Sequence, residues 1–245
     1  MTHASPPGIQ VRDLTLHFGQ QLIFERLNFT LDGGSFVALL GASGVGKTSL
    51  LKIIAGLAPP TAGAVSGSDG LPLTGRIAWM GQNDLLYPWL NVIENITLGP
   101  RLRGEKGDRA WAEHLLERVG LGGKGQLRPA ALSGGMRQRA AIARTLYERQ
   151  PIVLMDEPFS ALDTITRTMI QALATELLAR HTVLLITHDP LEACRLSHRL
   201  LVLSGQPATI TDTLTIAGQP PRAPDDPQLL HSQAELLQRL VRAAQ

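Results

Sequence analysis

The sequence predicts an α/β fold: a mostly parallel sheet, an antiparallel β subdomain ahead of it, and a helical subdomain inserted within it. Three observations carry this reading. Residues 36–40, 152–155 and 183–186 are apolar without interruption, with the length and continuity of strands buried on both faces. Helical stretches follow each of these runs. Residues 9–16 and 27–31 instead alternate apolar and polar, the pattern of half-exposed strands.

The elements follow in order. Asp32-Gly33-Gly34 makes a turn into the strand at 36–40, and a Gly-rich loop leads from it into a helix over 47–57, stopped by Ala58-Pro59-Pro60. Residues 61–75, rich in Gly, Ser and Thr, read as loop and short hairpin, and 77–80 as a further short strand. Between 91 and 146 helix signals dominate. Trp111, Leu115, Leu116 and Val119 share one helical face that ends at the glycines of 120–123, and 136–147 forms a second helix rich in Ala and Arg. The α/β pattern then returns. A strand at 152–155 precedes a helix whose face is Ile165, Met169, Ile170, Leu173, Leu177 and Leu178. A strand at 183–187, a helix at 191–196 and a last short strand at 200–203 complete it. Residues 205–227 read as a polar, Pro-rich loop and 229–241 as a terminal helix. The expected division is a core of 1–84 and 151–205, a helical subdomain of 85–150 and a tail of 206–245.

Composition narrows the class. In 245 residues, 44% hydrophobic content supports a sizeable core, and 18% charged residues exclude a disordered chain. A net charge of +2 predicts no broad affinity for nucleic acid or anionic lipid, so no nucleic-acid partner is expected. The single cysteine, Cys194, excludes an internal disulfide and suits a reducing compartment. No apolar run approaches the ~20 residues of a membrane span. A soluble chain is expected, held at any membrane by other subunits.

Four strand ends carry chemistry-bearing residues: Gly41 after 36–40, Gln82 after 77–80, Asp156 and Glu157 after 152–155, and His188 after 183–187. In open parallel sheets, ligands bind beyond the carboxyl ends of the strands, so these groups should converge. Gly41-Ala42-Ser43-Gly44-Val45-Gly46-Lys47-Thr48, with Ser49 behind it, fits the phosphate-binding P-loop pattern between a strand and a helix. This places a P-loop NTPase core in the chain, with a nucleoside triphosphate and Mg²⁺ as expected cofactors. Glycines let amides turn inward, the helix start adds positive potential, Lys47 reaches the β- and γ-phosphates, and the Thr48 hydroxyl suits Mg²⁺. Asp156 is placed to hold Mg²⁺, and Glu157 to act as general base on a water. In Leu132-Ser133-Gly134-Gly135, Ser133 reads as a helix N-cap and the glycines permit close approach to an anion. Asp189 and Pro190 suit the start of the helix after His188.

These motifs, with Ser160-Ala161-Leu162-Asp163, come in the order and spacing of the ABC transporter nucleotide-binding domain, which the chain resembles over about residues 8–205. The resemblance implies the remaining roles. Ser133 and Gly135 would contact the γ-phosphate of ATP held by a second copy, sandwiching two ATP molecules in a homodimer. Gln82 would sense Mg²⁺ and the γ-phosphate, His188 would bind the γ-phosphate and position the water, and Asp163 would lie at the dimer seam. An aromatic residue before the P-loop would stack on adenine; Phe18 is the candidate, with Phe24 as the alternative.

The layout of one ATPase domain without a fused span resembles bacterial importers. Residues 85–96, beginning Leu85-Leu86-Tyr87-Pro88-Trp89, resemble the nitrate, sulfonate, taurine and hydroxymethylpyrimidine group, the last being the first expectation within it. Integral-membrane permease subunits, an indirect substrate-binding protein and a peripheral place on the cytoplasmic face of the inner membrane are implied. Tyr87 and Trp89 either receive the permease or pack the inserted helices. The competing functions are a soluble ABC ATPase acting on nucleic acid or ribosomes, and a non-catalytic ATP-binding regulator.

Overall fold

The computed structural model describes residues 5–243. Its elements begin with β1 (Ile9–Phe18), β2 (Gln21–Leu31), β3 (Phe36–Leu40), α1 (Lys47–Ile54), β4 (Ala62–Gly67) and β5 (Ile77–Met80). Next come α2 (Val92–Ile96), α3 (Leu98–Leu102), α4 (Arg109–Arg118) and α5 (Gly134–Tyr147). The chain continues through β6 (Ile152–Asp156), α6 (Thr164–Leu177), β7 (Thr182–Ile186) and α7 (Pro190–Leu196), then β8 (Arg199–Ser204), β9 (Thr209–Thr215) and α8 (Pro227–Ala243). Two compact units divide these elements. The first runs to Ile77 and adds Pro151–Asp156 and the chain from Ala179 onward; the second comprises Ala78–Gln150 and Glu157–Leu178. Among the described residues, no helix is long and apolar enough to cross a membrane.

In the first unit, β1 pairs antiparallel with β2 and β4 in the order β2-β1-β4. The five strands of this unit's larger sheet follow the order β6-β7-β3-β8-β9. β3, β6 and β7 are buried at every residue, which explains their uninterrupted apolar runs. Their parallel register places Leu39 and Asp156 both beside Ile186, so the three strands end level. β9 runs antiparallel to β8, inside the segment expected to be a loop. Its Thr-Ile-Thr-Asp-Thr-Leu-Thr sequence has the β-branched alternation of an edge strand, obscured by the prolines and glycines on either side. Ala193 and Cys194 of α7 pack with Ala38 and Leu40 of β3 and with Leu229 and Leu236 of α8. The tail is therefore part of this unit's core.

The second unit is helical. Asn91 and Glu94 form a reciprocal capping box at the start of α2. The buried Asn95 side chain donates to the carbonyls of Tyr87, Leu90 and Asn91 and accepts from the Tyr87 amide, fixing the loop before the helix. Leu115 and Leu116 of α4 are buried, as are Val119 and residues 140–143 of α5. α6, expected in the core, groups with this unit. Strand–helix alternation places an element in sequence but does not say which neighbour covers its apolar face.

His198, the residue before β8, ties β3 to the entry of β8 and the exit of β9. Its Nδ1 accepts the Phe36 amide at 3.0 Å, its own amide donates to Phe36 O, and its carbonyl accepts from Ile216. Burial and the nearby Arg222 charge hold its pKa below the usual histidine value of 6.5. A depressed folded pKa contributes stability that is present above the unfolded value and lost as pH falls from there through the lower folded value. The urea midpoint should therefore fall as the pH drops below about 6.5. His198→Gln should flatten that fall; an equal acid sensitivity in both proteins would refute the assignment.

Candidate nucleotide site

In the first unit, β3 delivers the chain into a loop that only glycine permits at its ends. Gly41 has φ 154° and Gly46 φ 108°. A Cβ at Gly41 would lie 2.2 Å from Leu203 O, and one at Gly46 2.7 Å from Ile23 Cγ2. The loop is thus wedged between β8 and β2. The Lys47 ammonium bends back over it and donates to Gly41 O and Ala42 O, each at 2.8 Å. Gly46, the N-cap of α1, supplies no side-chain acceptor, so the helix's first amides receive no cap hydrogen bond from it. Amides left in this way favour an anion.

Thr48 Oγ1 donates to Asp156 Oδ2 at 2.7 Å, and Asp156 is only 2% exposed. The two oxygen ligands read from the sequence therefore lie side by side. His188 is exposed in the turn after β7, between β6 and β3. The Thr187 hydroxyl accepts the Asp189 amide, and Asp189 caps α7 by accepting from the amides of Leu191 and Glu192, with Pro190 in the first turn. Phe24 is fully buried, its Cδ1 3.6 Å from a Cβ built on Gly46, whereas Phe18 is 79% exposed at the end of β1. Of these two rings, Phe18 is the one open to solvent.

A cavity of about 630 Å³ opens beside the loop, between Gly41–Val45 and Val202–Gln206, with Leu240 of α8 in its wall. No motif marks the end of β8 or α8, so nothing short of the folded chain shows that they border the loop.

The second unit holds the other candidates. Gln82 is exposed after β5. Ser133 caps α5, its hydroxyl accepting the Met136 amide at 3.3 Å, and is exposed. Gly135 lies close to the segment after β6: a Cβ there would be 3.4 Å from Ala161 O. Three side chains of α5 bind the flanking segments. Arg137 pairs with Asp84 at 3.1 Å and donates to Leu132 O, Arg144 donates to the carbonyls of Asp84 and Leu85, and the buried Gln138 donates to Pro158 O at 2.7 Å. The segment after Gln82, the Ser133 helix and the segment after Glu157 are thus joined within one unit, by arginines and a glutamine that sequence reasoning passed over. Burial depresses the Arg144 pKa, with Asp84 opposing the shift.

Glu157 has φ 49°, a left-handed backbone that costs a non-glycine residue about 1–2 kcal/mol. Its carbonyl accepts from the amide and hydroxyl of Ser160, which hold the turn. Asp163 caps α6 through the Thr166 amide, and that bond holds its carboxyl below the usual range. Tyr87 and Trp89 form an exposed pair with ring centroids 5.3 Å apart rather than packing inside the helices.

Comparison with known proteins agrees with this architecture. The ABC transporter family profile matches residues 24–160. An uncharacterized ABC transporter ATP-binding protein from Haemophilus influenzae is 44% identical over 95% of this chain and 98% of its own. The aliphatic sulfonates import ATP-binding protein SsuB 1 from Pseudomonas syringae pv. syringae is 42% identical over 92% of this chain and 93% of its own. A dimeric ATP-binding cassette in a post-hydrolysis state, bound to ADP and Pi, superposes with a TM-score of 0.75 at 30% identity, covering 86% of this chain and 99% of that one. The chain belongs to the ABC transporter family, as one of its ATP-binding, ATP-hydrolysing cassettes.

Proposed function

We propose that the chain is the motor subunit of an ABC importer, binding and hydrolysing ATP as a homodimer beneath separate permease subunits at the cytoplasmic face of the membrane. The observation that carries the ATPase part is the Thr48–Asp156 pair at the end of β6, beside the P-loop strand's helix. The importer part rests on near-full-length similarity to sulfonate import subunits. Those relatives favour an aliphatic sulfonate over a hydroxymethylpyrimidine as cargo, although other chains select the solute. The exposed Tyr87 and Trp89 are the proposed contact for a permease segment.

The donor set fits Mg²⁺. A hydroxyl and a carboxylate oxygen are hard ligands, and among the described residues no cluster of three or more His, Cys, Asp or Glu could form an all-protein cage. Mg²⁺ prefers one or two protein oxygens completed by phosphates and water. When bound, it would neutralise charge on the phosphate oxygens. Lys47 exchanges its loop carbonyls for phosphate oxygens. Phe18 stacks on adenine, and Gly41–Ser49 supply amides and hydroxyls to the phosphates. Glu157 accepts the proton of the attacking water, His188 hydrogen-bonds the γ-phosphate, and Gln82 reads its presence. Ser133 and Gly135 serve the ATP of the second copy, with Asp163 at the seam between copies. Closure by ATP and reopening after hydrolysis is a shift between dimer populations.

Glu157→Gln should keep ATP binding, lose turnover by about 100-fold or more, and accumulate as an ATP-bound dimer measurable by light scattering. Unimpaired hydrolysis would contradict the base assignment. Thr48→Val should leave Mg²⁺-free nucleotide binding intact and abolish the gain that Mg²⁺ provides, as read by calorimetric titration. It should also lower stability by about 1.5–3 kcal/mol, the scale of a hydrogen bond to a charged group. A mixed dimer of one Lys47→Ala chain and one Ser133→Arg chain should trap one labelled ATP, because one composite site remains whole. No trapping at all would mean that each chain completes its own site.

A further inference from the structure

The tail contains a buried arginine that no nucleotide motif accounts for. Arg222 is 4% exposed. Its guanidinium donates to six backbone carbonyls. Three belong to the end of α7 and the residues after it: Cys194 O at 2.7 Å, Ser197 O at 3.0 Å and Arg195 O at 3.4 Å. The other three lie in the turn after β9: Ala217 O at 2.6 Å, Ile216 O at 2.8 Å and Gly218 O at 2.9 Å. The backbone joins as well. The Arg222 amide donates to Arg195 O at 3.0 Å, and Arg195 Nε donates back to Arg222 O at 3.0 Å.

A helix of seven residues is too short to hold itself together. Its last carbonyls need partners, and its carboxyl end favours a cation. Arg222 supplies both. The other end of α7 is capped by Asp189, the residue after His188. One flank of the helix packs in the same apolar cluster as β3, the strand that leads into the P-loop, and as α8. The helix that begins beside His188 is therefore fixed at its far end by the tail.

We infer that Arg222 is a positioning residue for His188: by clamping the carboxyl end of α7 to the turn after β9, it sets where His188 stands at the end of β7. The inference rests on the reading of His188 as the γ-phosphate ligand. A lysine cannot take the place of Arg222, because one ammonium lacks the planar fork that spans two sets of carbonyls.

The test uses the full chain and a double-mutant cycle. Arg222→Gln should lower kcat for ATP by about 100-fold, the effect of misplacing a reacting group by roughly an ångström, with KM for ATP little changed. In a His188→Ala background, Arg222→Gln should change kcat by less than about twofold, since the group it positions is gone. Arg222→Lys should share the loss of kcat and serves as the second variant if the glutamine form does not fold. A clamp released in these variants should also expose Cys194, the chain's single cysteine, whose buried thiol is pushed up to about 11, so alkylation should accelerate. Normal kcat in Arg222→Gln, or losses that multiply in the double variant, would overturn the inference. Normal turnover in His188→Ala would instead overturn the histidine reading and this inference with it, while Cys194 alkylation would still report whether Arg222 holds α7.

Discussion

Parallel pairing in register is the constraint on which the first unit's chemistry depends. A strand buried on both faces cannot carry polar side chains along its length, so it presents them where it stops. β6, β7 and β3 stop level with one another, since Leu39 and Asp156 both lie beside Ile186. Slipping one strand against the next would carry Asp156 away from Thr48 and separate their 2.7 Å hydrogen bond. The apolar side chains that fill these strands perform no chemistry, yet they set the positions of the groups that do.

The parts of the site legible in the sequence were those whose function demands a local pattern. The P-loop glycines were legible because the loop's φ values and close contacts exclude other residues. Ser133 and Asp189 were legible as caps because a cap acts within three residues of itself. What escaped were interactions between residues far apart in the chain. Arg222 reaches back to residues 194–197, and Arg144 to Asp84 and Leu85; an arginine bound to carbonyls leaves no signature beyond its own identity. The different burial of Phe18 and Phe24 was also hidden from the sequence, since both rings lie on the same hairpin and only packing buries Phe24. β9 was hidden because its prolines and glycines belong to the turns around it.

The second unit solves a different problem from the first. Its candidate residues sit in irregular segments, which need side-chain bonds to hold a shape. α5 provides them, with Arg137 and Arg144 on the segment after Gln82 and Gln138 on the segment after Glu157. One helix thus carries the Ser133 turn at its start and, along its length, the supports of two other segments that hold candidate residues.

The posture of Lys47 has a thermodynamic corollary. Its ammonium is already solvated by two carbonyls of its own loop, so in the proposed role an arriving phosphate would substitute one set of oxygen partners for another instead of capturing a bare cation. The affinity contributed by the lysine is a difference between two arrangements. In the proposed role, a diphosphate would offer this ammonium one phosphate group where a triphosphate offers two, so the loop carbonyls would reclaim part of it once the nucleotide is spent.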